Sequence, residues 1–129
     1  MANSRSSGQY KEYATVDTLP TSAGYYTNEV CLKDLVNDGR CPKGKMWFSI
    51  GETAEDISEA PSTLSTVTVA LQFKRDGDAA WTDYVDLAGS SLAVGNRLVI
   101  EDTGSAVRWR AGVRSDEYTS GSVTFGFDW

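Results

Sequence analysis

The chain has 129 residues with 18 acidic and 12 basic side chains, no histidine and a formal net charge of −6. This length is typical of one domain with its own core, and no cluster of Lys and Arg favours a nucleic acid as partner. No apolar run is long enough to cross a bilayer, and no histidine can act as the base of a Ser-His-Asp or Cys-His site.

Residues 1–28 are predicted to form an extended N-terminal arm. Ser, Gly, Asn and Thr are frequent in this segment, and no hydrophobic period persists along it. Tyr10 and Tyr13 are candidate contacts with a neighbouring subunit, because tyrosine is an effective anchor at protein interfaces. No apolar stretch typical of a secretory signal follows Met1, so we expect synthesis in a cytoplasm.

Residues 29–129 are predicted to form the folded domain. Helical spacing of apolar residues over 32–36 indicates a short helix, with Asn28 as its candidate cap. Cys31 and Cys41 leave two interpretations open, a disulfide that closes a small loop or two reduced thiols.

From residue 46 onward, short apolar or alternating stretches are separated by turn residues such as Asp76-Gly77. This pattern is typical of a chain of β-strands. We therefore predict an all-β fold, an antiparallel β-sandwich or jelly-roll-like domain with the extended arm attached. The predicted strands cover residues 46–50, 64–73, 81–85, 97–101, 106–114 and 122–129.

The last predicted strand has a large apolar face. Val123, Phe125, Phe127 and Trp129 occupy every second position, which is the period of a strand. A bulky apolar side chain at an exposed end would be unfavourable. We therefore expect Trp129 to dock in the core or in a subunit interface.

Three arginines mark one face of the preceding strand. Arg108, Arg110 and Arg114 lie at even spacing, opposite the apolar residues of the same stretch. One interpretation is a basic stripe that docks an acidic partner, since arginine is enriched at interfaces. The other is a solvated face whose arginines pair across strands with carboxylates such as Asp83 or Glu101.

The aromatic residues also allow two interpretations. Trp81, Tyr84, Trp109 and Trp129 could provide a platform on which sugars stack, but alternating aromatic residues are more typical of a core. Trp109 and Trp129 lie on the apolar side of their strands and are predicted to be core residues. Trp81 and Tyr84 occupy opposite faces of their predicted strand, so one of them is expected to be exposed.

The sequence predicts neither an active site nor a bound cofactor. Asp76-Gly77-Asp78 lacks the spaced oxygen ligands and closing Glu of an EF-hand, and two cysteines without histidine are too few for a structural zinc site. Neighbouring acids such as Glu101 and Asp102 would point to opposite faces of a strand. We therefore expect a non-enzymatic protein with no metal.

Residues 67–129, about half of the chain, resemble small β-rich virion proteins of tailed bacteriophages, among them head decoration or cement proteins. The resemblance is a pattern of strands and turns and carries no catalytic residue. Its stretches are Val67-Thr-Val-Ala-Leu-Gln-Phe73, Trp81-Thr-Asp-Tyr84, Gly95-Asn-Arg-Leu-Val-Ile100, Val107-Arg-Trp-Arg-Ala-Gly-Val113 and Tyr118-Thr-Ser-Gly-Ser-Val-Thr-Phe-Gly-Phe127.

This resemblance implies a capsid decoration protein in the phage head, assembled in the host cytoplasm, which binds and stabilises the shell of major capsid protein. It further implies a homo-oligomer, with a trimer expected, and no nucleic-acid or membrane partner. The arm with Tyr10 and Tyr13 would reach the shell, and the three arginines would meet acidic capsid residues. The alternative is a carbohydrate- or receptor-binding module associated with a tail or head fibre.

Overall fold

The computed structural model describes residues 11–51, 67–87, 98–101 and 106–129. These residues form nine strands and one short helix. In chain order they are β1 (Glu12–Val16), β2 (Tyr25–Tyr26), β3 (Val30–Cys31), α1 (Leu32–Asn37), β4 (Lys45–Gly51), β5 (Val69–Arg75), β6 (Thr82–Leu87), β7 (Leu98–Glu101), β8 (Val107–Val113) and β9 (Val123–Asp128).

The strands build two antiparallel sheets. The four-stranded sheet has the order β1-β9-β4-β7, and the five-stranded sheet has the order β2-β8-β5-β6, with β3 also paired to β8. The predicted all-β, sandwich-like fold is confirmed. Each strand predicted from residue 46 onward has a counterpart in the described part, with bounds shifted by a few residues, while residues 64–66 and 97 of these predictions lie outside the described residues.

The core is formed by the alternate residues that each sheet turns inward. In the four-stranded sheet, Phe127 is aligned with Phe48 and Phe125 with Ile50, and the rings of Phe48 and Phe127 lie 5.4 Å apart. Leu71 of the five-stranded sheet belongs to the same buried cluster. Period-2 patterning in the sequence is thus the direct cause of this core.

β9 is buried on both of its faces. Besides the predicted apolar residues, Thr124 and Asp128 on the other face are only 1% and 4% exposed. The hydroxyls of Thr15 and Thr124 are hydrogen-bonded at 2.8 Å between β1 and β9. Both edges of β9 are paired as well, with β1 on one side and β4 on the other, so β9 is an interior strand of its sheet.

Two stretches of the predicted N-terminal arm, five and two residues long, belong to the two sheets. Residues 12–16 pair with β9 and residues 25–26 pair with β8. Thr27 ties this segment down further, since its amide donates to the Ala111 carbonyl at 2.8 Å and its Oγ1 accepts from the Ala111 amide at 3.2 Å. These stretches are strands of the body, although they carry no clear alternation in the sequence.

The predicted short helix is present as α1, and its start differs from the expectation. Cys31, not Asn28, is the N-cap residue, and no side chain caps the helix. The Asn28 amide instead donates to Glu12 Oε2 at 3.1 Å. Cys31 and Cys41 are both free thiols. Within the described residues, no helix is long and apolar enough to cross a membrane.

Candidate functional site

The outer face of the five-stranded sheet contains a connected set of polar and aromatic contacts. Its centre is β8, where Arg108 and Arg110 point away from the core, and Arg114 directly follows the strand. We call this surface the arginine face, and its members are Tyr26, Gln72, Trp81, Asp83, Arg108, Arg110 and Arg114.

Arg114 is held by three carboxylates. Its Nη2 lies 2.6 Å from Asp83 Oδ1 and 3.4 Å from Asp86 Oδ1, and its Nη1 lies 3.3 Å from Glu117 Oε1. Burial lowers the pKa of Arg114, but the hydrogen bonds to Asp86 and Asp83 outweigh this effect and raise the pKa above its ordinary value. Arg114 is therefore a neutralised anchor between β8 and β6.

Arg108 is paired in the same manner at the other end of β8. Its Nη1 donates to Asp76 Oδ1 at 2.7 Å, and its Nε lies 3.6 Å from Glu29 Oε1. The hydrogen bond to Asp76 is the main cause that raises the pKa of Arg108. All three side chains are substantially exposed, so water screens this interaction.

Arg110 differs from both of its neighbours. Its guanidinium carbon lies 3.8 Å from the ring centre of Tyr26 and 4.5 Å from that of Trp81, and its Nε donates to Gln72 Oε1 at 2.8 Å. No carboxylate within the described ranges forms an ion pair with it. Burial lowers the pKa of Arg110. We call Tyr26, Arg110 and Trp81 together the Arg110 stack.

Two local features of the sequence position the Arg110 stack. Gly112 leaves room for Tyr26, since a Cβ at this position would lie 2.1 Å from the Tyr26 ring and 2.4 Å from the Tyr25 carbonyl oxygen. Gln72 links the stack to the Arg114 cluster, because its Nε2 donates to Asp83 Oδ1 at 2.8 Å. This bond is the first cause that lowers the pKa of Asp83. The polar network is therefore continuous across β8, β5 and β6.

The aromatic residues separate into two groups. Trp81 belongs to the arginine face, where Lys74 Nζ also lies 5.8 Å from its ring centre. Tyr84 is 60% exposed, and its ring meets Phe73 and Trp109 edge-on at 6.3 and 5.3 Å. Tyr84 is therefore an exposed aromatic side chain whose orientation is fixed by its neighbours.

The structure gathers some of the predicted contact residues and separates others. Arg108, Arg110 and Arg114 share one face, as the alternation predicts. Tyr13 is 48% exposed on β1, in the other sheet, and Trp129 packs partly buried against the core. Tyr10 lies outside the described residues.

Sequence reasoning missed Tyr26 and Gln72 as partners of the arginines. Tyr26 lies in a segment without strand periodicity, and Gln72 looks like an ordinary polar position of an alternating strand. Only the strand order brings both of them next to Arg110.

Within the described ranges, no group of three or more His, Cys, Asp or Glu side chains could hold a metal ion. Comparisons with protein-family models, with curated proteins and with solved structures found no match. The two antiparallel sheets by themselves place the protein in the class of all-β, sandwich-like domains.

Proposed function

We propose that this protein is a non-enzymatic structural protein of a tailed-phage virion, a capsid decoration protein that binds and stabilises the shell of major capsid protein. The Arg110 stack is the observation that carries the proposal. Tyr, Trp and Arg are the residue types most enriched among interface hot spots, and here the three lie in contact on one sheet face.

The rigidity of the Arg110 stack supports this role. Tyr26 rests on Gly112, and Arg110 is fixed by Gln72 and by both rings. Little side-chain entropy remains to be lost on binding, which favours affinity. A stiff surface of this kind suits a protein that reinforces a shell by binding across neighbouring subunits.

The ion pairs of the arginine face indicate which arginine would contact the capsid protein. Arg108 and Arg114 are already paired with carboxylates, so the face does not act as a uniform basic stripe. Arg110 has no such partner in the described ranges, and its planar guanidinium can offer donors to an acidic group of the capsid protein. We therefore assign the acidic contact to Arg110, with Tyr26 and Trp81 as its apolar surround.

Decoration of bare shells tests the proposal. Shells of the phage that encodes this protein are assembled without it, mixed with purified protein, and the bound copies are counted by mass spectrometry against the major capsid protein. Hundreds of copies per particle are expected. A handful would move the protein to the tail or neck, and no binding would overturn the proposal.

A pair of arginine variants locates the contact. Arg110→Ala is expected to reduce shell occupancy about tenfold or more at limiting protein concentration, in the range of a hot-spot residue. Arg75→Ala is the matched control, because Arg75 is an exposed arginine at the end of β5 without the two-ring stack. Equal occupancy for the two variants would exclude the arginine face as the contact.

The arm is tested by a cut at residue 10. Deletion of residues 1–28 would remove β1 and β2 and damage the fold, whereas deletion of residues 1–10 leaves every described strand. The shorter deletion is expected to weaken decoration if Tyr10 reaches the shell.

The oligomeric state is tested separately, by sedimentation of the free protein. A trimer is expected, and a monomer would contradict this part of the proposal.

Tyr84 favours one alternative, a carbohydrate- or receptor-binding module on a fibre. Its exposed, fixed ring is the kind of surface on which a sugar stacks. Glycan binding that is lost in Tyr84→Ala or Trp81→Ala, with the fold intact by circular dichroism, would support this alternative. Unchanged binding in both variants would reject it.

A further inference from the structure

A small cavity beside the four-stranded sheet combines cationic and indole side chains. We propose that this cation–tryptophan pocket binds a small planar anion, a single aromatic ring that carries a phosphate or carboxylate group. The proposal does not depend on the capsid function. The cavity has a volume of about 220 Å³ and is lined by Arg40, Cys41, Pro42, Lys43, Lys45, Trp47 and Trp129.

The turn that carries the cations has a defined backbone. The amides of Arg40 and Cys41 donate to the Leu35 carbonyl at 2.9 and 3.1 Å, and the Gly44 amide donates to the Cys41 carbonyl at 3.1 Å. Gly44 has a φ of 69°, a left-handed conformation that glycine adopts without strain. The cationic side chains therefore start from fixed positions.

The floor of the pocket is anchored to the core. Cys41 is 3% exposed, and its Sγ donates to the Lys45 carbonyl at 3.1 Å. On β4, Met46 and Phe48 are fully buried. Lys45 and Trp47 alternate with them and project from the outer face of the same strand. The buried residues thus determine the positions of the two pocket residues.

The charge of the pocket is opposite to that of the whole chain. Arg40, Lys43 and Lys45 bring three cations to one cavity of a protein whose net charge is −6. Glu101 of β7 lies opposite Lys45 in the sheet, but it is exposed and is not part of the lining, so the cations of the lining outnumber the nearby acid. The one ion pair of Arg40 in the described ranges is with Asp38 at 3.4 Å, and both side chains are more than half exposed, so it neutralises Arg40 weakly. The pocket therefore favours an anion.

The two indoles determine the rest of the ligand. Trp47 and Trp129 are partly buried and offer apolar ring surface beside the cations. A planar ring packs favourably against an indole, while its charged group reaches the ammonium groups. The cavity is smaller than the roughly 300–1,000 Å³ of pockets for drug-sized ligands. One ring with one charged group therefore fits better than a whole nucleotide.

Proton–nitrogen NMR spectra of the full chain test this assignment, because the four indole N–H groups give separate signals. Phenyl phosphate and benzoate are the probes. Either probe is expected to shift the signals of Trp47 and Trp129 and to leave those of Trp81 and Trp109 in place. Equal shifts of all four signals, or no shift with either probe, would overturn the proposal.

Two fragments of the probe separate ring from charge. Phenol has the ring without the anion, and inorganic phosphate has the anion without the ring. Each is expected to bind at least about threefold more weakly than phenyl phosphate, because each loses one of the two contributions. If either fragment shifts Trp47 and Trp129 at the same concentration as phenyl phosphate, the proposed ligand class is wrong.

Matched charge reversals test the cations without disturbing the core. Lys43→Glu changes an exposed pocket residue, and Lys33→Glu makes the same change on α1, outside the lining. Lys43→Glu is expected to weaken phenyl phosphate binding about tenfold and Lys33→Glu by less than about twofold. If both variants weakened phenyl phosphate binding equally, the effect would come from the overall charge of the protein, and the proposed site would be wrong.

Discussion

The central strands β8 and β9 of the two sheets have the same alternating pattern and different surroundings. All six residues of β9 are buried, including those that face away from the core. In β8 only Ala111, Gly112 and Val113 are buried, and two of the three outward positions carry arginines, while Tyr26 covers the third, Gly112. The pleat determines which residues share a face, whereas the neighbouring elements determine whether that face is interior or available to a partner.

The two strands nevertheless share one device. A tyrosine of an N-terminal strand lies close to a glycine of each: Tyr13 over Gly126 in β9 and Tyr26 over Gly112 in β8. In both cases a side chain on the glycine would collide with the N-terminal strand. The early segment of the chain is therefore fitted against both sheets.

The largest expected effect comes from the β9 core. Phe125→Ala should lower the free energy of unfolding by about 3–5 kcal/mol, because it opens a cavity at a fully buried ring. Phe73→Ala, in the five-stranded sheet, should cost clearly less, since Phe73 is half-buried. Urea unfolding measures both changes. If the two variants lost the same free energy of unfolding, the packing of Phe73 would be as important as that of Phe125, and the difference between the two sheets would be wrong.

The glycine of β9 provides the next test. Gly126→Ala should cost about 3 kcal/mol, because its Cβ would lie 2.3 Å from the Glu12 carbonyl oxygen and would push β1 off the sheet. Gly39→Ala is the control, with nothing within 4 Å and a cost of about 1 kcal/mol from its positive φ. A Gly126→Ala protein as stable as Gly39→Ala would disprove the close approach of β1.

The outer face of β8 should contribute less to stability. Arg114→Met is expected to cost about 1 kcal/mol, because it breaks a network of partly exposed ion pairs. The loss should shrink in 1 M salt, which screens the same charges. A loss that is large and independent of salt would indicate that packing, not charge, holds Arg114.

The smallest effect concerns acid pH. The pKa of Asp83 is lowered from 3.8, first by the hydrogen bond from Gln72 and further by Arg114. The unfolded chain therefore takes up this proton first as pH falls, so the stabilisation is present above pH 3.8 and is lost through the lower folded pKa. Asp83→Asn should flatten this part of the stability profile between about pH 5 and 2. An unchanged slope would contradict the assignment.

The sequence predicts the strands after residue 46 well. From residue 46 onward, alternation and turn residues locate β4 to β9, because in those strands one face packs on the core. β1, β2 and β3 were not predicted, since two of them have only two residues each and β1 lies in a polar segment. All three strands pair with residues far away in the sequence, β1 with β9 and both β2 and β3 with β8.

The candidate site was predictable only in part. The shared face of Arg108, Arg110 and Arg114 follows from period 2 alone. The sequence also names Asp83 as a candidate cross-strand partner, and the ion pair between Arg114 and Asp83 confirms it. The contacts of Arg110 with Tyr26 and Trp81 follow from strand order, which places β2 and β6 in the same sheet as β8. Sequence periodicity contains no information on which strands become neighbours.

The pairing of β1 with β9 imposes an order of events during synthesis. Thr15 and Thr124 are 109 positions apart, and a ribosome adds about 5–20 residues per second, so β1 waits roughly 5–20 s for its partner. Throughout that interval the nascent chain carries a strand with no ladder to join. β1, the edge strand of the four-stranded sheet, is therefore synthesised first but can pair only after β9 has been synthesised. Contacts of such long range make folding slow relative to that of a helical protein of equal size.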